Sequence, residues 1–474
     1  MFDQISAINR SHPQPPAAAR SQSPPPAAHL FEADIRSPHD LIDDRPDDGV
    51  FRVHRDVFRD PEVFAHEMRS FFAAGWAFVG HASQLPQPHD FLCVELAGQP
   101  LVLMRDAAGR LHCVHNSCRH KGARVVHHRR GNRRTHVCHY HGWSYGSDGA
   151  NIAIKGKAEG DYTPAFDAES HDLAAVARFG EYRGFLFASL DADVPPLDAW
   201  LGDARVFIDL AVDAAEHGLE LVPGAVSYTY RGNWKLQLEN STDAYHFSST
   251  HPSYLRLLER RSRMPQRTDV EAAIWQAGKK QQEMMGSFGF ANGHALVWTT
   301  TPQENHPLYP LLPALRERFG ERRADWMLRT RQLNIFPNLQ IASNAALQMR
   351  VIRPVAVDCT EITSYCLAPV GEAAPQRRQR LRQYEDFFNP SGLATPDDTV
   401  TYEDCQRGFA SGDIEWQQGY ARGMGRLVWG ADAHAAELGI RPTTSVSGSF
   451  EMSDETIFHA LYRHWAARLR KAAA

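Results

Sequence analysis

Two short groups of cysteine and histidine constrain this chain more than any other feature of its sequence. Cys118-Arg-His120 and Cys138-His-Tyr-His141 each place a thiolate and an imidazole on a short loop. Seven cysteines in 474 residues are an odd, sparse set and a poor disulfide framework, so metal binding explains them better. In a chain with 24 histidines, a single cysteine near a histidine is expected by chance. Two such pairs with short spacing in one region are much less likely to arise by chance. We therefore expect both loops to meet at one compact metal centre.

Changes in composition and in the pattern of turn residues predict four regions along the chain. Residues 1–48 are expected to form a flexible Pro-rich tail. Asp60-Pro61 is typical of a helix start, and we expect a helical segment over 49–75 that packs on the large C-terminal domain. Short strands and frequent turn signals predict an all-β domain over 76–191. Residues 192–474 mix both element types without regular alternation, which predicts an α+β domain built on an antiparallel sheet with helices. Its expected strands include 225–231, 295–301, 347–354 and 361–368, and its expected helices include 375–388 and 395–407.

Composition and charge exclude several classes of function. The net charge of −5, from 51 basic and 56 acidic residues, leaves no basic stripe for nucleic acid. No window offers the roughly 18 apolar residues of a membrane span. The start, Met1-Phe2-Asp3-Gln4, lacks a basic-then-apolar signal, so we expect a cytoplasmic protein.

The grouping of ligands in the β-domain distinguishes between two kinds of centre. Zinc is the main alternative, because two cysteines and two histidines form a common structural zinc set. Zinc fingers usually group two cysteines and then two histidines, whereas each loop here carries both kinds. The mixed grouping fits a Rieske [2Fe–2S] cluster, with Cys118 and Cys138 on one iron and His120 and His141 on the other. The flanking tracts, His120-Lys-Gly122-Ala123 and His141-Gly142-Trp143, resemble the Rieske loops of bacterial aromatic-ring hydroxylases. The other five cysteines are expected to be packing residues.

A second constellation of polar residues lies about one hundred residues further on. Asn240, Asp243, His246 and His251 fall within twelve residues. Asp243 and His246 are three apart and would share a helix face. His246 and His251 are about 140° apart around an ideal helix. Both therefore reach one metal only if the helix ends or distorts between them, which Ser248 to Thr250 and Pro252 permit.

Two imidazoles need a carboxylate to complete a facial triad, and the tract Thr395-Pro-Asp-Asp398 offers two. Helix capping explains this tract without any metal: Thr395 would be the N-cap, and the two acids would favour the positive end of the helix. The residues alone do not separate Asp397 from Asp398.

From about Val50 onward, the chain resembles the large (α) subunit of a Rieske non-haem iron ring-hydroxylating dioxygenase. The resemblance implies a mononuclear Fe(II) held by His246, His251 and Asp398. It implies that Asp243 hydrogen-bonds ligand histidines of both centres across a subunit boundary, and it places Asn240 near the iron with its role open. The spacing of Asn240 and Asp243 is that of the benzoate-type branch.

This resemblance implies the oxygenase component of a multicomponent enzyme that converts an arene, O₂, NADH and H⁺ to a cis-dihydrodiol and NAD⁺. Electrons would come from a separate ferredoxin or reductase, and the assembly would be a trimer or hetero-oligomer, often with a small β subunit. The tracts around Arg353-Pro354, 382–388 and 392–398 resemble benzoate, toluate, anthranilate and 2-halobenzoate dioxygenases. They imply an aromatic carboxylate substrate, although the sequence singles out no arginine to pair with it.

Three other functions remain open at the level of sequence. A Rieske monooxygenase or demethylase would use the same two sites and differ in its products. A non-enzymatic Rieske electron carrier would leave the second constellation unused, and a zinc-stabilised binding protein would contain no iron or acid-labile sulfide.

Overall fold

An N-terminal hairpin opens the described part of the chain, which comprises residues 38–263, 284–300, 306–343, 346–449 and 453–473 of a computed structural model. Strand Ile42–Arg45 pairs antiparallel with Val50–His54, which pairs in turn with Trp416–Gln417. The prediction of a flexible tail is wrong for residues 42–45, because they form a paired strand. Residues 1–37 lie outside the described part.

The predicted helix start at Asp60-Pro61 is confirmed. The Asp60 carboxylate accepts a hydrogen bond of 2.8 Å from the Glu62 N–H, and Pro61 occupies the first turn of helix Pro61–Glu67. A short helix, Asp56–Arg59, precedes it, and a π-helical turn, Met68–Ala73, continues it.

Residues 77–189 form three small antiparallel sheets, which confirms the all-β prediction for this region. The first sheet has the order Leu111–His115, Gln99–Arg105, Asp90–Leu96 and Arg130–Asn132, the second Asn151–Ala153, Ser144–Gly146 and Thr135–Val137, and the third Arg178–Tyr182, Phe185–Ser189 and Ala77–His81. One short helix, Pro164–Asp167, lies among them. The strands on either side of Gly98 pair as a hairpin, and both turn residues, Ala97 and Gly98, have positive φ.

A ten-stranded antiparallel sheet forms the centre of the remaining chain. Its order is Leu219–Leu221, Cys359–Pro369, Gln348–Ala356, Leu339–Ser343, Thr330–Ile335, Ala295–Thr299, Met284–Gly289, Thr444–Ser449 and Val428–Trp429, with Val226–Tyr230 also paired to Cys359–Pro369. All four strands expected from the sequence are present. The α+β prediction is confirmed.

Helices cover this sheet and carry the functional residues described below. They span Leu197–Leu201, Arg205–Asp213, Trp234–Asn240, Phe247–Thr250, Pro252–Ser262, Leu312–Phe319, Glu321–Leu328, Ala374–Gln383, Thr395–Gly408, Ala433–Glu437 and Ile457–Ala473, and a π-helical turn spans Tyr384–Phe388. Across the described ranges, we find no helix whose length and apolar character would let it cross a bilayer.

The side chain of Asn338 joins the β-domain to the large sheet, because it makes the two hydrogen bonds that a neighbouring strand would make to Phe78. The Asn338 side-chain carbonyl accepts a hydrogen bond of 2.8 Å from the Phe78 N–H, and its amide donates one of 2.9 Å to the Phe78 carbonyl. Phe78 belongs to strand Ala77–His81, which lies at the edge of its sheet. Phe78 lies opposite Phe187 on one side of its strand, and Asn338 satisfies the backbone groups of Phe78 on the side where no strand pairs.

A buried carboxylate, Glu67, ties three distant helices together. Glu67 accepts hydrogen bonds from Lys235 Nζ at 2.6 Å, Trp234 Nε1 at 2.8 Å and Trp465 Nε1 at 2.6 Å. Glu67 and Lys235 are both 0% exposed. A buried charge is tolerated only when it is paired and hydrogen-bonded, so these contacts fix the position of helix Trp234–Asn240.

We expect Lys235→Met to lower the free energy of unfolding by about 3–5 kcal/mol, because it leaves the Glu67 carboxylate buried without a counter-charge. The double variant Glu67→Gln/Lys235→Met should recover part of this loss, since the glutamine amide is neutral and still accepts a hydrogen bond from an indole. Urea unfolding followed by circular dichroism measures both. As a control, Lys157→Met removes an exposed ion pair with Asp167 and should cost less than about 1 kcal/mol. An equal loss in the two single variants would contradict the assignment.

Candidate active site

Each cysteine and histidine group of the β-domain lies in a turn closed by the same two hydrogen bonds. The Gly122 N–H donates a hydrogen bond of 2.8 Å to the Cys118 carbonyl. The Cys118 N–H donates one of 2.9 Å to the carbonyl of Ala123, the residue after the glycine. Cys138 and Gly142 repeat the two bonds at 2.9 and 2.8 Å. The glycines have φ of 74° and 77°, a conformation that favours glycine. The loops are therefore matching supports for their side chains.

The donor side chains of these loops fit a metal centre. Cys118 and Cys138 are buried, at 3% and 2% exposure. The His120 ring stacks on Trp143, with centroids 5.1 Å apart, and lies 4.3 Å from the His141 ring. His120 Nδ1 is buried and has no hydrogen-bond partner. Such an unpartnered nitrogen is costly unless it binds something, and a metal would satisfy it.

A second set of donors meets beside the large sheet. His246, His251 and Asp398 each offer one atom, and the three atoms lie within 4.8 Å of one another. Asp398 Oδ1 lies 3.4 Å from His246 Nε2 and 3.1 Å from His251 Nε2. Within the described ranges, no other set of three or more ligand residues converges so closely. The four side chains of the β-domain are more widely spread, as ligands at opposite ends of a two-iron cluster would be.

The helix breaks between the two histidines, as the sequence required. Phe247–Thr250 is a single helical turn, and His251 leaves the helical conformation with φ −111° and ψ 44°. Pro252 then begins the next helix. This interruption lets both His246 and His251 face Asp398.

Asp243 contacts His246 through a turn and not through a shared helix face, so the helical interpretation of their spacing is wrong. Helix Trp234–Asn240 ends before Asp243. Asp243 Oδ1 accepts hydrogen bonds from the backbone N–H groups of Tyr245 at 2.6 Å and His246 at 3.3 Å. Its Oδ2 lies 3.2 Å from His246 Nδ1. One carboxylate therefore orients both the backbone and the ring of this histidine.

Each triad histidine has a carboxylate behind it. Asp397 Oδ2 lies 3.4 Å from His251 Nδ1, as Asp243 lies behind His246. Asp397 is therefore on the far side of His251, while Asp398 is on the inner side with its side chain only 8% exposed. Carboxylates in this position fix the ring orientation of metal-binding histidines.

Asn240 closes the inner side of the cluster. Its Nδ2 donates to Asp398 Oδ1 at 3.2 Å and lies 3.2 Å from His246 Nε2. All five residues singled out in the catalytic region therefore come together at one point, and the structure separates the two acids that the sequence left equivalent.

The electrostatics of the cluster favour a cation. Burial alone would lower the pKa of His246, but the Asp243 and Asp398 carboxylates raise it to about 9. Burial would raise the pKa of Asp398, but His246 and His251 hold it well below its usual range. The negative potential that retains a proton on His246 would equally attract a divalent metal.

Two further acids that the sequence analysis missed lie behind this cluster. Burial raises the pKa of Glu239 to about 7, even though Tyr462 and Tyr420 donate hydrogen bonds to it, the second at 3.0 Å. Burial, and then the Asp243 charge, raise the pKa of Glu455 to about 7. Glu239 precedes Asn240 in sequence, but only the fold shows that it is enclosed.

The triad opens onto a cavity of about 140 Å³. Its walls are mostly apolar and include Phe247, Tyr254, Leu258, Val297 and Phe387. An apolar cavity of about 150 Å³ is large enough for one benzene ring. The site can therefore hold a small aromatic molecule against the donor cluster.

Comparisons with known families match both parts of the chain. The profile described as ring hydroxylating alpha subunit (catalytic domain) matches residues 217–470, and the Rieske [2Fe–2S] domain matches residues 75–167. The chain belongs to the ring-hydroxylating α-subunit family. A Rieske cluster and a mononuclear iron are the cofactors of this α subunit, so the zinc alternative is excluded.

Individual relatives place the α subunit more narrowly. It is 39% identical to the toluate 1,2-dioxygenase subunit alpha of Pseudomonas putida, over 91% of this chain and 94% of that one. It is 38% identical to the 2-halobenzoate 1,2-dioxygenase large subunit of Burkholderia cepacia, over 90% of each chain. Its fold matches a naphthalene 1,2-dioxygenase with indole bound, with a TM-score of 0.74, 24% identity and coverage of 88% and 92%. The predictions of a dioxygenase and of its fold are confirmed.

We expect Asp398→Ala to remove the mononuclear iron and leave the visible spectrum of the Rieske cluster unchanged. Asp397→Ala should keep the iron but bind it about ten- to a hundredfold more weakly, since Asp397 contacts only the far side of His251. Iron and acid-labile sulfide analysis of each purified variant measures both effects. Full iron retention in Asp398→Ala would transfer the ligand role to another residue.

Proposed function

We propose that this α subunit is the oxygenase component that cis-dihydroxylates a benzoate-like aromatic carboxylate. The observation that carries the proposal is the triad of His246, His251 and Asp398 at the wall of an apolar cavity of single-ring size. Relatives named for toluate, 2-halobenzoate and anthranilate support a carboxylate substrate. The reaction adds both atoms of O₂ to adjacent ring carbons and converts NADH and H⁺ to NAD⁺.

The proposed ligands follow from the two donor sets. Cys118 and Cys138 would hold one iron of the cluster and His120 and His141 the other, while His246, His251 and Asp398 would hold the mononuclear iron. When bound, these groups supply electrons one at a time and open coordination positions for dioxygen.

The protein itself would orient and shield the reactants. Asp243 and Asp397 hold the triad imidazoles from behind, so that each presents Nε2 to the site. Asn240 occupies the inner side, where its amide contacts both a histidine and Asp398. The apolar walls of the cavity would exclude bulk water and hold the ring beside the iron.

Electron transfer would cross a subunit boundary. The walls of the triad cavity, as far as the structure describes them, include no residue between 76 and 191, so the β-domain of the same chain does not reach it. Asp243, at the back of His246, is the proposed bridge to the cluster of a neighbouring α subunit. A trimer or hetero-oligomer with a small β subunit, a ferredoxin or reductase donor and a cytoplasmic location remain predictions.

The substrate class is tested with the assembled enzyme, a suitable reductase, NADH and a panel of benzoates. We expect O₂ uptake to match NADH consumption, because each coupled turnover uses one of each, and we expect cis-diol carboxylates to appear, because a dioxygenase transfers both oxygen atoms to the ring. Mass spectrometry with ¹⁸O₂ measures the number of atoms incorporated. Incorporation of a single atom, or loss of an N-methyl group from a methylamine in the same assay, would favour the monooxygenase or demethylase alternative.

We expect Asp243→Asn to retain both metal centres but to reduce turnover at least about a hundredfold, because the amide cannot supply the charge behind His246. Iron content, the cluster spectrum and steady-state product formation are the measurements. Asp404→Asn, in an exposed ion pair with Arg407, is the matched control and should turn over normally. Coupled turnover at the normal rate in Asp243→Asn would refute the bridge.

A further inference from the structure

Arg350 is a buried cation at the wall of the triad cavity. It lies on strand Gln348–Ala356 and is 7% exposed. Its Nη2 donates a hydrogen bond of 3.1 Å to Thr395 Oγ1, and its guanidinium carbon lies 5.6 Å from the centre of the Phe388 ring. Its Nε is buried without a hydrogen-bond partner. Arg350 thus holds donors that the described protein leaves unused.

Thr395 connects this arginine to the metal site. The sequence predicted Thr395 as a helix N-cap, but helix Thr395–Gly408 has no side-chain cap. The Thr395 hydroxyl instead donates to the Phe388 carbonyl at 3.1 Å and accepts from Arg350. Since Asp398 follows three residues later in the same helix, one short segment positions both the triad carboxylate and the guanidinium.

The charge of Arg350 has no dedicated partner. None of the described carboxylates forms an ion pair with it, and Asp398 directs its Oδ1 at the two triad histidines instead. Burial lowers the pKa of Arg350, but Tyr228, Tyr402 and Asp398 outweigh burial and raise it, so the guanidinium stays charged. With Asp398 bound to iron, none of the described residues would supply an anion opposite this cation. A buried charge is favourable when it is paired and hydrogen-bonded, and an anionic ligand in this cavity would supply that pair.

The rest of the cavity restricts the shape of that ligand. At about 140 Å³, the cavity has the volume of a single ring. Phe387 and Phe388 contribute aromatic rings to the cavity wall, which also includes the triad residues. A planar carboxylate on one aromatic ring matches both the apolar walls and the planar fork of arginine.

We propose that Arg350 binds the carboxylate of a single-ring aromatic acid and thereby sets the substrate class and the orientation of the ring. The inference rests on the proposed function, because it concerns the same cavity. A carboxylate held by Arg350 fixes which carbons of the ring face His246, His251 and Asp398. Arg350 would act by binding and would take no part in proton or electron transfer.

The test compares two ligands of nearly the same shape, benzoate and the neutral benzamide. Calorimetric titration of the assembled, metal-loaded protein without reductase gives both dissociation constants and requires no turnover. We expect the wild-type protein to bind benzoate about a hundredfold more tightly than benzamide, and Arg350→Gln to remove most of this difference by weakening benzoate alone. Arg353→Gln is the matched control, because Arg353 lies on the same strand in an ion pair with Glu361 and does not line the cavity.

Each result supports or overturns the assignment of Arg350. Equal binding of benzoate and benzamide by the wild-type protein overturns it without any variant. Unchanged benzoate affinity in Arg350→Gln, or the same loss in Arg353→Gln, also overturns it. If Arg350→Gln does not fold, Arg350→Lys retains the charge without the fork and should bind benzoate about tenfold more weakly, and an unchanged affinity there overturns the proposal.

The proposed function fails independently of this inference. Selective, Arg350-dependent binding of benzoate without diol formation by the complete enzyme would overturn the function and leave Arg350 as the carboxylate site. Diol formation by an Arg350→Gln enzyme with normal benzoate affinity would overturn the assignment of Arg350 and leave the proposed function standing.

Discussion

The enclosed charge of Glu67 determines how the catalytic region can be arranged. A carboxylate without access to water must find donors within the protein, and Lys235, Trp234 and Trp465 supply them from two helices far away in sequence. The N-terminal segment, the C-terminal helix and helix Trp234–Asn240 therefore cannot shift independently. Because Asn240 is the last residue of that helix, an ion pair remote from the chemistry holds one side of the metal site in place.

The two metal sites share one principle of construction, which is that neighbouring groups hold the donor side chains in position. In the β-domain, backbone hydrogen bonds close both loops and leave His120 Nδ1 unpartnered. In the catalytic domain, Asp243 and Asp397 engage the outer nitrogen of each histidine, and the inner nitrogens converge on Asp398. Ligand geometry is thus built into the polypeptide by contacts one layer away from the ligands.

Sequence was a good guide where the relevant contacts are local and a poor one where they are not. The Rieske loops were predictable because spacing and two glycines determine both turns. The helix break before Pro252 was predictable for the same reason. The family resemblance implied Asp398 as the ligand, but the residues by themselves did not separate it from Asp397, because both acids suit the start of a helix. Thr395 was misjudged because capping propensity is a weak preference that a buried guanidinium overrides, and Glu67 gave no local signal at all.

The contact between Asn338 and Phe78 has a consequence for assembly. Exposed edge strands offer free N–H and C=O groups, and other chains can add to them as further strands. The Asn338 amide occupies both groups of Phe78 on the edge strand Ala77–His81, so a neighbouring chain cannot extend the sheet at that residue. All five residues of this strand are buried, so the amide closes, within one chain, an edge that would otherwise leave two backbone groups unpaired in the interior.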